Sequence, residues 1–181
     1  MTHGVVSTLA VLGLVGQALV VLLVLLVLAA RERIRAWLWG YELWAAFIVA
    51  AIATGGSLFL SEVAGFIPCE MCWFQRICMY PLSLLTLLLA YHGDHRAARY
   101  LVPFPVIGAG VSIYHLLIEN HVVSTPAQCA VGAGCTVKWI NYFGYMTIPT
   151  LALTAFALLI IFLCLAAASD AEDAATLPAD A

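Results

Sequence analysis

The sequence predicts an all-α membrane protein with five transmembrane helices, and three observations carry that reading. The chain is 65% hydrophobic and only 9% charged, where a soluble domain usually has about 25% charged residues. Apolar runs recur at the length of about 20 residues that a helix needs to cross the hydrocarbon. Arginines cluster in two of the connections between those runs and avoid the others. So little charge cannot solvate a globule of 181 residues, which excludes a cytosolic enzyme. A net charge of −3 and a single lysine, Lys138, exclude a nucleic-acid binder.

The first span, Gly4 to Ala30, holds no charged residue. A signal peptide fits it poorly. Met1-Thr2-His3 has no Lys or Arg, the apolar run is about twice a usual h-region, and charge follows it. Arg31, Glu32, Arg33 and Arg35 end the run, and Trp37, Trp39 and Tyr41 form an interfacial belt. The second span runs from about Trp44 to Leu60. The third runs from Trp73 to about Tyr91, contains Arg76 and Pro81, and is closed by the polar stretch from His92 to Arg99. The fourth is Leu101 to about Ile118; Pro103 and Pro105 fall near its start, where backbone donors are free anyway. The fifth is about Thr147 to Ala168. Residues 169–181, with Asp170, Glu172, Asp173 and Asp180, read as an acidic disordered tail.

The arginines orient the bundle. Arg31, Arg33 and Arg35 lie between the first two spans, and Arg96 and Arg99 between the third and fourth. The positive-inside bias therefore expects residues 31–43, residues 92–100 and the tail in the cytoplasm. The loops 61–72 and 119–146 then face outward from a multi-pass protein of the cell (inner or plasma) membrane. Neither loop is long enough to fold as a domain, so function belongs to the bundle or its edge.

Six cysteines occur, and four of them, Cys69, Cys72, Cys129 and Cys135, fall in the outward loops. Disulfides persist on the oxidising side of a membrane, so topology and cysteine placement agree. Cys69-Glu70-Met71-Cys72 has the spacing of redox pairs and metal sites, and so small a ring restrains little unfolded-chain entropy. Spacing alone leaves a labile redox pair, structural staples and a four-thiolate zinc site open. Context narrows the choice. Cys72 lies at the N-terminus of the third helix, and Arg76 follows one turn later on the same face; both favour a thiolate at Cys72. An arginine one turn into a membrane can snorkel to the interface, or it can pair with a thiolate or hold an electronegative oxygen. No glycine-rich dinucleotide fingerprint opens a helix. A lipid-soluble quinone is the electron acceptor left by elimination.

His115, in the outer turn of the fourth span at the depth of Arg76, is either a quinone contact or a polar group satisfied inside the bundle. The remaining histidines offer it no opposing intramembrane haem ligand. Cys78 and Cys164 read as packing residues. Trp139, Tyr142, Phe143 and Tyr145 read as interfacial anchors, and Glu62 and Glu119 as marks of the water boundary.

The stretch Pro68-Cys69-Glu70-Met71-Cys72-Trp73-Phe74-Gln75-Arg76 resembles the P-C-x-x-C-x-aromatic-x-R signature of the DsbB family of disulfide-bond formation membrane proteins. Tyr114-His115 is similar to that family's Tyr-His element. Cys129, Cys135, Trp139 and the run from Ile148 to Leu153 are similar to its second outward loop and last helix. The resemblance covers about residues 36–168. It implies a four-helix bundle there, with residues 1–35 an added N-terminal helix and turn. The five-residue gap between Cys129 and Cys135 is closest to the short-loop, BdbC-like members.

The resemblance further implies a quinone-dependent thiol oxidase, using ubiquinone or menaquinone from the respiratory pool. Its expected partner is a DsbA-like thioredoxin-fold oxidant on the outer face. By position, Cys129 takes the mixed disulfide with that partner and Cys135 is its companion. Cys69 exchanges between the loops, Cys72 is the thiolate facing the quinone, and Arg76 polarises the quinone oxygen. Two rivals stand beside this reading: a structural membrane subunit with stapled outward loops, and a quinone enzyme like vitamin K epoxide reductase, whose CxxC belongs to a late helix.

Overall fold

The computed structural model describes residues 2–124, 129 and 134–176. Its elements are α1 (Thr2–Leu38), α2 (Glu42–Leu58) prolonged by a π-helical turn (Phe59–Val63), α3 (Glu70–His92), α4 (Ala98–Leu101), α5 (Pro103–Glu119) and α6 (Ile148–Thr176). Among the described residues the only extended pairing is one bridge between Tyr142 and Met146. Five segments are long and apolar enough to cross a membrane, with α4 and α5 together making one of them. The five expected spans are present.

Four spans close into a ring, α2 beside α3, α3 beside α5, α5 beside α6 and α6 beside α2. Leu43, Leu82, Phe156, Leu159 and Leu163 are fully buried at its centre. Lipid supplies no hydrophobic drive between helices, so close approach must come from small residues. Gly108 of α5 shows this: a Cβ there would lie 2.3 Å from Cζ of Phe156 on α6. The first span, α1, stands outside the ring and packs mainly along α6.

The two ends of the bundle differ in chemistry. At one end Arg35 donates to the Ala168 carbonyl and Trp39 stacks on His95, so the arginine-bearing connections lie together. The opposite end gathers the CxxC segment, Cys129, Cys135 and the start of α1, where Val6 and Leu9 pack with Leu60, Ile140 and Ile148.

Boundaries moved where local chemistry outweighed hydropathy. Helix α1 runs past the first arginines to Leu38, interrupted by the non-helical Ala30 (φ −151°, ψ 52°). Its Arg, Glu, Ala and Leu residues are strong helix formers even where they are polar. Pro103 and Pro105 withhold two N–H groups and divide α4 from α5, while Val102 keeps helical angles and the span stays continuous. Helix α6 continues to Thr176, into the tail expected to be disordered. Ala171, Ala174, Ala175 and Glu172 are strong helix formers and no glycine or proline occurs in that stretch before Pro178, so helix is its local preference. Residues 177–181 of the tail lie outside the described residues.

Candidate redox site

The π-turn ends α2, and the chain then runs as loop to Cys69, which is extended (φ −74°, ψ 173°) and caps α3. A cap side chain reaches the backbone N–H three residues on, and here the Cys72 N–H donates to Cys69 Sγ at 3.4 Å. The same geometry brings Cys69 Sγ and Cys72 Sγ to 2.9 Å as a pair of thiols. The two-residue gap of the motif is thus the spacing between a helix cap and the third residue of its first turn.

Cys129 and Cys135 are disulfide-bonded, with Cα atoms 5.3 Å apart, and both are buried against Cys69, Met71 and Ile118. His115, only 4% exposed, joins the two pairs. Its Nε2 lies 3.2 Å from the Cys135 carbonyl oxygen and 3.6 Å from Cys69 Sγ. A carbonyl only accepts, so Nε2 carries the proton and Nδ1 is the remaining polar atom. Nδ1 is buried and has no hydrogen-bond partner among the described residues. Glu119, one turn further along α5 and 3% exposed, accepts from Thr147 Oγ1 at 2.9 Å and lines the same small pocket as His115, Cys69 and Cys72.

These contacts act on Cys69. The thiol of Cys72 hydrogen-bonds it, and that effect, helped by His115 and the Cys72 N–H, outweighs desolvation and pulls the Cys69 thiol down to about 4. The helix dipole and Arg76 lead one to expect the thiolate at Cys72. The structure gives Cys69 the stabilising contacts, because the helix begins at Glu70 and makes Cys69 its cap.

On the other side of Cys72 lies a cavity of about 240 Å³, walled by α1, α2, α3, α6 and the loop residues Phe66, Pro68 and Trp139. Its lining is apolar apart from a few groups, among them Ser57, Gln75, Arg76 and Tyr80. Arg76 is held in place: Nε donates to Ser57 Oγ at 3.1 Å and Nη2 to the Ser57 carbonyl at 3.2 Å. Its guanidinium also lies 5.2 Å from the Trp73 ring centre and 6.0 Å from that of Tyr80. Gln75 donates to Ser112 Oγ at 3.1 Å and ties α3 to α5.

The structure therefore brings Cys69, Cys72, Cys129, Cys135 and His115 to one end of the bundle, with Arg76 beside Cys72 on the cavity wall. It moves one expected contact. His115 does not line the cavity but sits beneath the disulfide loop, on the Cys69 side of the pair. Two residues were missed. Glu119 is buried beside the thiols rather than marking water, and Ser57 anchors Arg76. The donor atoms of Cys69, Cys72 and His115 lie within 4.8 Å of one another, a thiophilic grouping, but structural zinc takes four ligands. Among the described residues no fourth side chain joins them.

A membrane helical bundle with a dithiol, a disulfide and a joining histidine at one end defines a membrane thiol–disulfide protein. A family model described as "Disulfide bond formation protein DsbB" matches residues 39–166. The chain belongs to the DsbB family and is BdbC-like within it. It is 50% identical over 125 residues to Disulfide bond formation protein C of Bacillus subtilis (strain 168), which covers 68% of this chain and 90% of that protein. It is 44% identical over 117 residues to Probable disulfide formation protein C 1 of Bacillus anthracis (64% and 84%). It is 38% identical over 119 residues to Probable disulfide formation protein of Metapseudomonas resinovorans (65% and 83%). No solved structure matches the chain.

Proposed function

We propose that this membrane protein of disulfide bond formation is a quinone-coupled thiol oxidase serving a DsbA-like thioredoxin-fold partner on the outer face of the cell membrane. The observation that carries the reading is the position of the CxxC pair. Cys69 adjoins the Cys129–Cys135 disulfide through His115, and Cys72 adjoins an apolar cavity that holds one cation. A disulfide moves by thiolate attack on sulfur. The partner's dithiol would be oxidised as Cys129–Cys135 is reduced, through a mixed disulfide with Cys129. The resulting Cys129/Cys135 dithiol would then be oxidised as a Cys69–Cys72 disulfide is reduced. Cys69, next to the loop and favoured as thiolate, suits the exchanging sulfur.

The cavity suits a quinone head group. It is smaller than the roughly 300–1,000 Å³ of sites for drug-sized ligands, so it takes a ring and leaves a tail outside. Its apolar walls suit the ring, and the Arg76 N–H groups not used by Ser57 are donors for a carbonyl oxygen. A quinone bound there, from the ubiquinone or menaquinone pool, supplies the two-electron sink. The protein's part is to hold Cys72 at the cavity wall, orient the oxygen with Arg76, and manage the thiol protons with His115 and Glu119.

The test is quinone reduction by the purified protein in detergent, driven by a reduced thioredoxin-fold partner. Turnover is expected in the wild type and its loss in Cys72→Ser. An unchanged rate in Cys72→Ser overturns the assignment. Stapled loops instead predict that both pairs stay inert when the partner is added, which free-thiol labelling during turnover reads directly. Labelling of intact cells with a membrane-impermeant maleimide after reduction checks the outward placement.

A further inference from the structure

Helix α1 lies wholly outside the stretch that matches the family, which begins at residue 39. Yet Leu9, Leu12, Gly13 and Gly16 of α1 form part of the cavity wall. The contact is a fitted one on both sides. A Cβ on Gly13 would lie 2.3 Å from Leu151 Cδ2 of α6, and one on Gly16 would lie 3.0 Å from Thr154 Cγ2. Towards α2 the helix reaches across by a side chain: Leu9 Cδ2 would be 3.0 Å from a Cβ on Gly56. Gln17 fixes the register, its Oε1 accepting from the Tyr145 hydroxyl at 3.0 Å. The space left between α1 and the α2–α3 face is the cavity itself. In a ring of four helices alone, that side would open on lipid.

We propose that α1 is the lateral wall of the quinone cavity, closing the head-group site against lipid and setting the size of head it accepts. The inference rests on the quinone reading above. It assigns a role in ligand selection to Leu12, Gly13 and Gly16.

The experiment is titration of the full-length protein in detergent with short-tailed benzoquinone and naphthoquinone analogues, followed by quenching of tryptophan fluorescence. Trp139 lines the cavity and is the expected reporter. Gly16→Phe, whose side chain meets Thr154 and Leu158 of α6 and must push α1 out of its place in the cavity wall, is expected to weaken binding about tenfold or more. Leu12→Ala, which enlarges it, is expected to shift the preference towards the bulkier naphthoquinone head. Val15→Phe, on an exposed position of the same helix, is expected to leave both affinities unchanged. Should Gly16→Phe fail to fold, the preference shift in Leu12→Ala decides. Wild-type affinities and preference in Leu12→Ala and in folded Gly16→Phe, with quinone bound normally by the wild type, overturn the role of α1 and leave the quinone reading standing. Absence of quinone binding in the wild type overturns that reading and this one with it.

Discussion

Replacing Arg76 with alanine tests the cavity most directly, because the structure separates what the arginine does for the fold from what it offers a ligand. A guanidinium has five N–H donors. Two of them are engaged by Ser57, at 3.1 and 3.2 Å. The others have no protein acceptor among the described residues, and Trp73 and Tyr80 hold the group in place beside the cavity. A hydrogen bond from a charged donor is worth about 1.5–3 kcal/mol, and about 1.4 kcal/mol is tenfold in affinity. Arg76→Ala is therefore expected to raise the apparent KM for quinone by about 10- to 100-fold. The fold loses less, because Ser57 Oγ keeps the Tyr80 hydroxyl at 3.3 Å and its carbonyl keeps Ser61. Arg76→Lys restores the charge without the planar fork and should recover only part of the KM. The assay is quinone reduction across quinone concentrations with saturating reduced partner, beside a thermal melt of each variant. Equal KM in wild type and Arg76→Ala, at an unchanged melting temperature, would refute the reasoning.

Other consequences follow from the sulfur pairs and the packing. With the Cys69 thiol pulled down to about 4 by the Cys72 hydrogen bond and His115, the reduced protein should show thiolate ultraviolet absorbance throughout the neutral range. A lowered pKa stabilises the reduced fold fully only above the ordinary thiol value, and that contribution is lost as pH falls towards 4. Cys72→Ala should move the absorbance titration upward more than His115→Ala does; equal or opposite shifts would contradict the contacts. Cys129→Ser should abolish oxidation of a protein partner while a small dithiol still drives quinone reduction through Cys69 and Cys72, and retained partner oxidation would argue against the relay order. Gly108→Leu, which meets the Phe156 ring, should destabilise the bundle by about 1–3 kcal/mol, seen as an earlier loss of helical circular dichroism on heating.

The spans were legible because lipid imposes a single long apolar period, and the arginine-bearing connections do lie together at the end away from the cysteines. The start of α3 was placed three residues late, since Glu70 and Met71 look like loop by hydropathy. An acidic residue in a first turn is instead favoured by the helix dipole, and that was the available signal. Glu119 was misjudged for a different reason. An acid at the end of a span marks water on average, and only the return of the chain at Thr147 covers it. Ser57 carried no signal alone, since a lone serine in an apolar span does not show which side chain it will hold. The cavity is a property of four helices and two loops together and has no local signature.

The shift of one helix boundary changes the chemistry assigned to each sulfur. With the helix beginning at Trp73, Cys72 would stand at its N-terminus, and the dipole and Arg76 together would select Cys72 as the thiolate. With Cys69 as the cap, the first turn of α3 divides two environments. Cys69 meets His115 and the disulfide loop, and Cys72 meets the cavity wall with Arg76 one turn below. A pair arranged this way can be addressed from both sides without moving, because the rigid turn fixes the spacing between sulfurs. The Cys129–Cys135 disulfide is tethered at this end by the contact of His115 Nε2 with the Cys135 carbonyl and by burial against Cys69, Met71 and Ile118. Weakening that tether should therefore change exchange between the pairs while leaving the affinity for quinone intact. His115→Ala is the variant that separates them: slower reduction of the Cys69–Cys72 disulfide with unchanged quinone binding is expected. A loss of quinone affinity in its place would put the histidine back on the cavity side.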